Sequence, residues 1–156
     1  MTNRRLLPIT GILVIVAVAG NRTLASQNVV EPHTEAAVLA ADDDWLAAEL
    51  RGNLAALGSR LMPTYRDVTL NGKVYTREDL LAHAARRPDK VTTSPVQAAA
   101  EFRAQHPLVE HVLLDGDTAI LEFESIKPEE HGLILSVDVF TYMNGRWRGL
   151  YSAHSK

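Results

Sequence analysis

Asp138 stands between Val137 and Val139 in an otherwise apolar run, and it is the residue whose setting most suggests chemistry. A carboxylate held among apolar neighbours loses hydration, which raises its pKa toward the range useful to a general base. Tyr65, Tyr142 and Tyr151 are hydroxyl donors of the kind that can stabilise developing oxyanion charge. Both groups also have a purely structural reading. The acid can be held by a tyrosine hydroxyl or a helix N-terminus, and tyrosines at strand ends are commonly amphipathic rim residues.

The elements that position these residues begin with the closing segment. Asn144-Gly145 suits the positive φ angles of a two-residue type I′ turn, so residues 133–154 read as two strands of one hairpin. With Asn144 and Gly145 as the loop, Met143 pairs with Arg146, Tyr142 with Trp147, Phe140 with Gly149, Asp138 with Tyr151 and Ser136 with Ala153. All pairs but the first share one face. Small residues between large amphipathic ones leave room, so Phe140, Tyr142, Trp147 and Gly149 are expected to line a ligand cavity. Trp45 is a further candidate ligand contact, although the packing reading of both Trp45 and Trp147 is core. Val137, Val139 and Leu150 fall on the opposite face with Thr141, Arg148, Ser152 and His154, a mixture suited to a homodimer interface.

Upstream the pattern is helical. Val38, Leu39, Trp45, Leu46, Leu50, Leu54 and Leu57 recur at spacings of three, four and seven. Gly52-Asn53 divides this stretch, and Pro63 ends it near Leu61. A strand over residues 65–70, a turn at Asn71-Gly72 and a short strand over 73–75 follow. Thr76 and Asp79 resemble a capping box for a helix over residues 77–86, and Ser94-Pro95-Val96-Gln97 opens another that runs to Gln105. Strands over 109–114 and 118–126 precede the hairpin. In the second of these Ala119, Leu121, Phe123 and Ser125 share the core face, while Glu122 and Glu124 face solvent. The order predicts one α+β domain with helices on one face of a curved antiparallel sheet.

The N-terminus has a different character. Arg4-Arg5, an apolar run from Leu6 to Gly20, and small residues at Thr23 and Ala25 mark residues 1–25 as a secretory signal peptide cleaved after Ala25. The run is shorter than the ~18 residues a membrane span needs. Residues 26–35 are expected as a flexible lead-in and residues 36–156 as the domain. The mature chain is expected to be secreted or periplasmic, with no stable membrane insertion. The chain's net charge is −3, and removing Arg4, Arg5 and Arg22 makes the remainder more acidic. A mildly acidic domain is a poor candidate for nucleic acid or an anionic membrane surface, so neither is expected as a partner. With no cysteine, stability must come from packing rather than disulfides.

The histidines do not have metal spacing. His106 and His111 flank a proline, His131 lies in a turn and His83 sits beside Arg86 and Arg87, so no metal is expected. His154 is a candidate base if a β-bulge shifts its register.

The stretches Trp45 to Leu57, Tyr65, Leu70 to Leu81, Gly116 to Ile120, Ser136 to Phe140 and Asn144 to Trp147 together resemble the nuclear transport factor 2-like superfamily. More narrowly, they are similar to the SnoaL-like and ketosteroid isomerase-related domains of exported bacterial proteins. The resemblance covers most of residues 37–155. It implies a cone-shaped α+β barrel, N-terminal helices on the concave face, and an open end holding a small apolar ligand. Many such proteins dimerise through the outer sheet face. The enzymes among them are isomerases or lyases that need no cofactor and use a carboxylate or histidine inside the cone. Here that would be Asp138 as base, with Tyr65 or Tyr151 at the oxyanion. Related domains often carry histidine or glutamine six positions after the tryptophan matching Trp147. This chain has Ala153 there, with His154 next to it. The resemblance leaves three functions open: a non-catalytic small-molecule-binding domain, an isomerase or lyase, and an assembly module.

Overall fold

The structure, a computed structural model, describes residues 30–87, 90–125 and 135–155. The expected signal peptide and its cleavage site lie outside these residues, as does His131.

Helix α1 (Glu35–Leu50) starts where the Thr34 hydroxyl accepts from the Ala37 N–H at 3.2 Å. Gly52, at φ 63°, turns the chain out of it, and Asn53 caps α2 (Leu54–Arg60) by accepting from Ala56 N–H. Strand β1 (Leu61–Val68) begins directly, four residues earlier than the sequence pattern indicates. Pro63 lies inside it without breaking a ladder, because pairing with the neighbouring strand is interrupted between Leu61 and Arg66. After a loop over residues 69–73 come β2 (Val74–Thr76) and α3 (Arg77–Arg86), which carries the full Thr76/Asp79 capping box. Helix α4 (Pro95–Gln105) has Ser94 as N-cap and proline in its first turn. Strands β3 (Leu108–Asp115), β4 (Thr118–Ser125), β5 (Leu135–Met143) and β6 (Arg146–Ser155) complete the chain.

The six strands form one curved sheet in the order β2-β1-β6-β5-β4-β3. All neighbours are antiparallel except β1 and β6, which run parallel. The parallel pair is a departure from the all-antiparallel expectation. It arises because the chain leaves β1 for helices and a meander before β6 returns beside it. The helices pack on the concave face. Val38, Ala41 and Trp45 of α1 and Leu57 of α2 meet Leu121, Phe123, Phe140 and Trp147 of the sheet in one core, and Ala47 and Leu50 meet Ala98 and Ala99 of α4 in a second.

The β5–β6 hairpin decides the site. Asn144 at φ 55° and Gly145 at φ 78° form the expected turn, and pairing follows the expected register from Met143↔Arg146 to Phe140↔Gly149. A β-bulge then inserts one residue into β6, so Val139 faces Tyr151, Asp138 faces Ser152 and Ser136 faces His154. The expected pairs Asp138–Tyr151 and Ser136–Ala153 do not form. Because side chains alternate, one extra residue turns Ser152 and His154 inward and Tyr151 outward.

The segment Val30–Thr34, read from the sequence as part of a lead-in, is tied to the turn end of this hairpin. Glu31 N–H donates to Gly145 O at 2.8 Å, Trp147 N–H donates to the Glu31 carboxylate at 2.9 Å, and Trp147 Nε1 donates to Pro32 O at 3.1 Å.

Candidate functional site

A cavity of about 950 Å³ opens between the helices and the concave face. Helix α1 presents Asp42, Trp45 and Glu49 to it at positions i, i+3 and i+7, one stripe of the helix. Alternate residues of the strands supply Tyr65 and Asp67 from β1, Ser136 and Asp138 from β5, and Ser152 and His154 from β6. Phe102 and Arg103 of α4 close one side. Leu80, Leu108 and Phe123 add apolar wall.

Asp138 is at the centre. The Tyr65 hydroxyl donates to Ser152 Oγ at 3.0 Å, and Ser152 Oγ donates in turn to Asp138 Oδ1. Asp42, only 6 % exposed, faces Asp138 closely enough to donate to it when protonated. The Arg103 guanidinium binds Asp42, approaches Asp43 at 3.3 Å and pairs with Glu110 at 2.7 Å.

Burial dominates the electrostatics. It pushes Asp42 up to about 8, aided by the Asp138 charge and opposed by Arg103. It pushes Asp138 up to about 6, against the Ser152 hydrogen bond and the charge of His154. The ion pair with Arg103 favours ionised Asp42, while burial and Asp138 favour the neutral form. These opposing influences couple the two carboxyls, so that they titrate as a pair and each disfavours ionisation of the other. Glu49 is raised by burial and by the charges of Asp67 and Asp138, with Arg87 acting against them. Burial also raises the Tyr65 hydroxyl, so it stays a neutral donor. His154 Nε2 lies 3.4 Å from Asp67 Oδ1, a charge-pairing distance without hydrogen-bond alignment. That carboxylate raises the His154 pKa, against burial.

Of the residues selected from sequence, Asp138, Tyr65, His154 and Trp45 come together at the cavity. Tyr151 does not: the bulge places it opposite Val139, on the outer face and 38 % exposed. Phe140 and Trp147 are fully buried core and Gly149 lies under the Trp45 ring, so the room left by the small residue is taken by α1 rather than by a ligand. Tyr142 donates its hydroxyl to Glu31 O and its ring lies 3.8 Å from that of His33, at the sealed turn end.

Sequence reasoning missed Asp42, Glu49, Asp67, Arg103 and Ser152. For the first two a signal existed, since Val38, Asp42, Trp45 and Glu49 share one helical stripe and an acid on an apolar stripe is informative. Ser152 and Asp67 reach the site through a bulge and a parallel pairing that no local pattern announces.

No family model matches the chain, and no curated protein matches its sequence. Solved structures are similar. One is a nuclear transport factor 2-like protein of unknown function from Silicibacter pomeroyi, with 19 % identity, coverage of 76 % of this chain and 92 % of that one, and a TM-score of 0.54. Another, from Novosphingobium aromaticivorans and described as having a cystatin-like fold, gives 13 % identity, coverage of 77 % and 79 %, and a TM-score of 0.53. A candidate dehydratase of this fold family from Streptomyces avermitilis gives 18 % identity, coverage of 77 % and 93 %, and a TM-score of 0.50. The likeness is one of fold: the chain has the curved-sheet, helix-lined architecture of the nuclear transport factor 2-like proteins. The resemblance carried by the sequence motifs and the tertiary structure agree at that level.

Proposed function

We propose that the chain is a cofactor-independent isomerase or lyase acting on a small, mostly apolar carbonyl compound. The observation that carries this reading is the Asp42–Asp138 pair, a buried and a half-buried carboxyl that face each other beside an apolar wall, with desolvation raising both. The ionised member removes a proton from carbon next to the carbonyl and the protonated member returns one, while the Tyr65–Ser152 chain holds Asp138 in place by hydrogen bonding. No cofactor is needed for that transfer. The likeness to a candidate dehydratase supports the reaction class. The test uses NMR in D2O with a panel of β,γ-unsaturated and β-hydroxy ketones. Exchange or product should depend on Asp138, falling about 10²–10⁴-fold in Asp138→Asn. Turnover unchanged in that variant would reject the assignment.

A binding pocket without chemistry is the second reading, favoured by Arg103 already pairing with Asp42 and Ser152 with Asp138. Ligand retention with no turnover across the panel would select it. We further propose that the outer face around Val137 and Val139 supports a homodimer, now with Tyr151 in place of Ser152 and His154; a monomer in sedimentation at high micromolar concentration would reject it. Export with cleavage after Ala25 is part of the same proposal, and the mass of the exported chain tests it.

A further inference from the structure

The cavity wall holds a second group of reactive side chains that the carboxyl pair does not use. Ser136 and His154 are direct cross-strand partners on β5 and β6, and Ser136 Oγ lies 2.8 Å from His154 Nδ1. With Nδ1 accepting from the serine, the ring proton sits on Nε2, which faces Asp67 Oδ1 on β1 at 3.4 Å. We propose that Ser136, His154 and Asp67 form a nucleophile, base and orienting acid that transfer the acyl group of a small ester through an acyl-serine.

Three observations carry it. The nucleophile-to-base distance is within the range that activates a hydroxyl, and such contacts tighten further when substrate binds. The base has its own carboxylate on the far side, at a charge-pairing distance that stabilises the imidazolium once it forms. All three residues line one cavity, together with Leu80, Leu108 and Phe123, which offer an apolar wall for an acyl chain. The arrangement exists only because of the bulge in β6. Without it His154 would point away from Ser136.

The step balances with the side chains present and water. Ser136 Oγ attacks the carbonyl carbon as its proton passes to His154 Nδ1, and the carbonyl π electrons move to oxygen. Collapse expels the alcohol, which takes the proton from His154. Water then attacks the acyl-serine with His154 as base, releasing the acid and restoring the hydroxyl.

The base must be neutral to act, and both carboxylates facing His154, Asp67 from β1 and Asp138 from β5, favour its protonated form. Acylation should therefore rise with pH above the ordinary histidine range.

The experiment treats the full chain with a fluorophosphonate probe and maps the adduct by peptide mass spectrometry. The expected result is a single adduct on Ser136, absent in Ser136→Ala and formed at least tenfold more slowly in His154→Gln. No adduct, an adduct on Ser152, or an unchanged rate in His154→Gln overturns the proposal. If a variant fails to fold, the adduct position in the unaltered chain still decides. The proposal shares the cavity but not the carboxyl pair. Deuterium exchange lost in Asp138→Asn therefore reports on the isomerase reading, and adduct formation at Ser136 reports on this one.

Discussion

Trp45 covers Gly149 so closely that a Cβ built on the glycine would stand 2.7 Å from the ring carbon Cζ3 and 3.2 Å from Cε3. The glycine is the seat of the indole, and through it β6 fixes where α1 crosses the sheet. Trp45 in turn packs edge-on against Tyr65, with ring centroids 5.2 Å apart, so the contact sets the back wall of the cavity.

Gly149→Ala should therefore destabilise the fold by about 1–3 kcal/mol, the usual range for forcing a methyl into packed space. The Trp45 ring must shift, and the variant should differ in tryptophan emission as well as in denaturation midpoint. An unchanged midpoint in urea would show that the ring can yield freely.

Stability should fall as pH rises from acid to mildly alkaline. Asp42 and Asp138 have folded pKa values raised from 3.8 to about 8 and about 6, so the folded chain keeps protons that the unfolded chain releases. As far as these groups go, stability is full below the unfolded value and is lost through the window from 3.8 to about 8. Each proton so retained contributes a slope of about 1.4 kcal/mol per pH unit. His154, raised by Asp67, has the same sign: its contribution is complete below 6.5 and lost as pH passes its folded value. Thermal melts between pH 4 and 9 should show this slope, and Asp42→Asn should flatten it even though the loss of the Arg103 pairing lowers the midpoint. A slope unaltered in that variant would place the proton elsewhere.

The two tyrosines considered together from sequence should behave differently. Tyr65→Phe removes the donor to buried Ser152 and should cost about 0.5–1.5 kcal/mol. Tyr151→Phe, on the outer face, should stay within about 0.5 kcal/mol of the parent. Paired urea titrations decide, and equal effects would contradict the bulged register.

Glu31 ties the strap formed by Val30–Thr34 to both a helix and the sheet, accepting from Arg60 Nη1 at 2.6 Å and from the Trp147 N–H at 2.9 Å. Glu31→Ala leaves that backbone donor without a protein partner and should cost about 1–3 kcal/mol. No strap residue lines the cavity, so chemistry there should survive at temperatures where the variant is folded. Loss of cavity chemistry in a folded Glu31→Ala protein would mean that the strap shapes the site.

Much of the fold could be read from local rules. Thr76/Asp79, Ser94-Pro95 and Asn144-Gly145 act through hydrogen bonds and φ preferences within a few residues, so their elements fall where the pattern puts them. Asp138 was also visible, because an acid between two valines is anomalous wherever the strand goes. What the chain alone could not disclose was which residues stand beside it. A single bulged residue in β6 reverses the facing of everything after Gly149, exchanging Tyr151 for Ser152 and bringing His154 to Ser136. Strict alternation carries no sign of that insertion, since the bulge answers to twist and packing across the whole sheet. Likewise the space promised by Gly149 is filled by Trp45, and Asp42 meets Asp138 only where α1 crosses β5. Local chemistry determined the elements and one acid of the site; the crossing of α1 over the sheet and the shift in β6 decided its partners, because both depend on contacts between residues far apart in the chain.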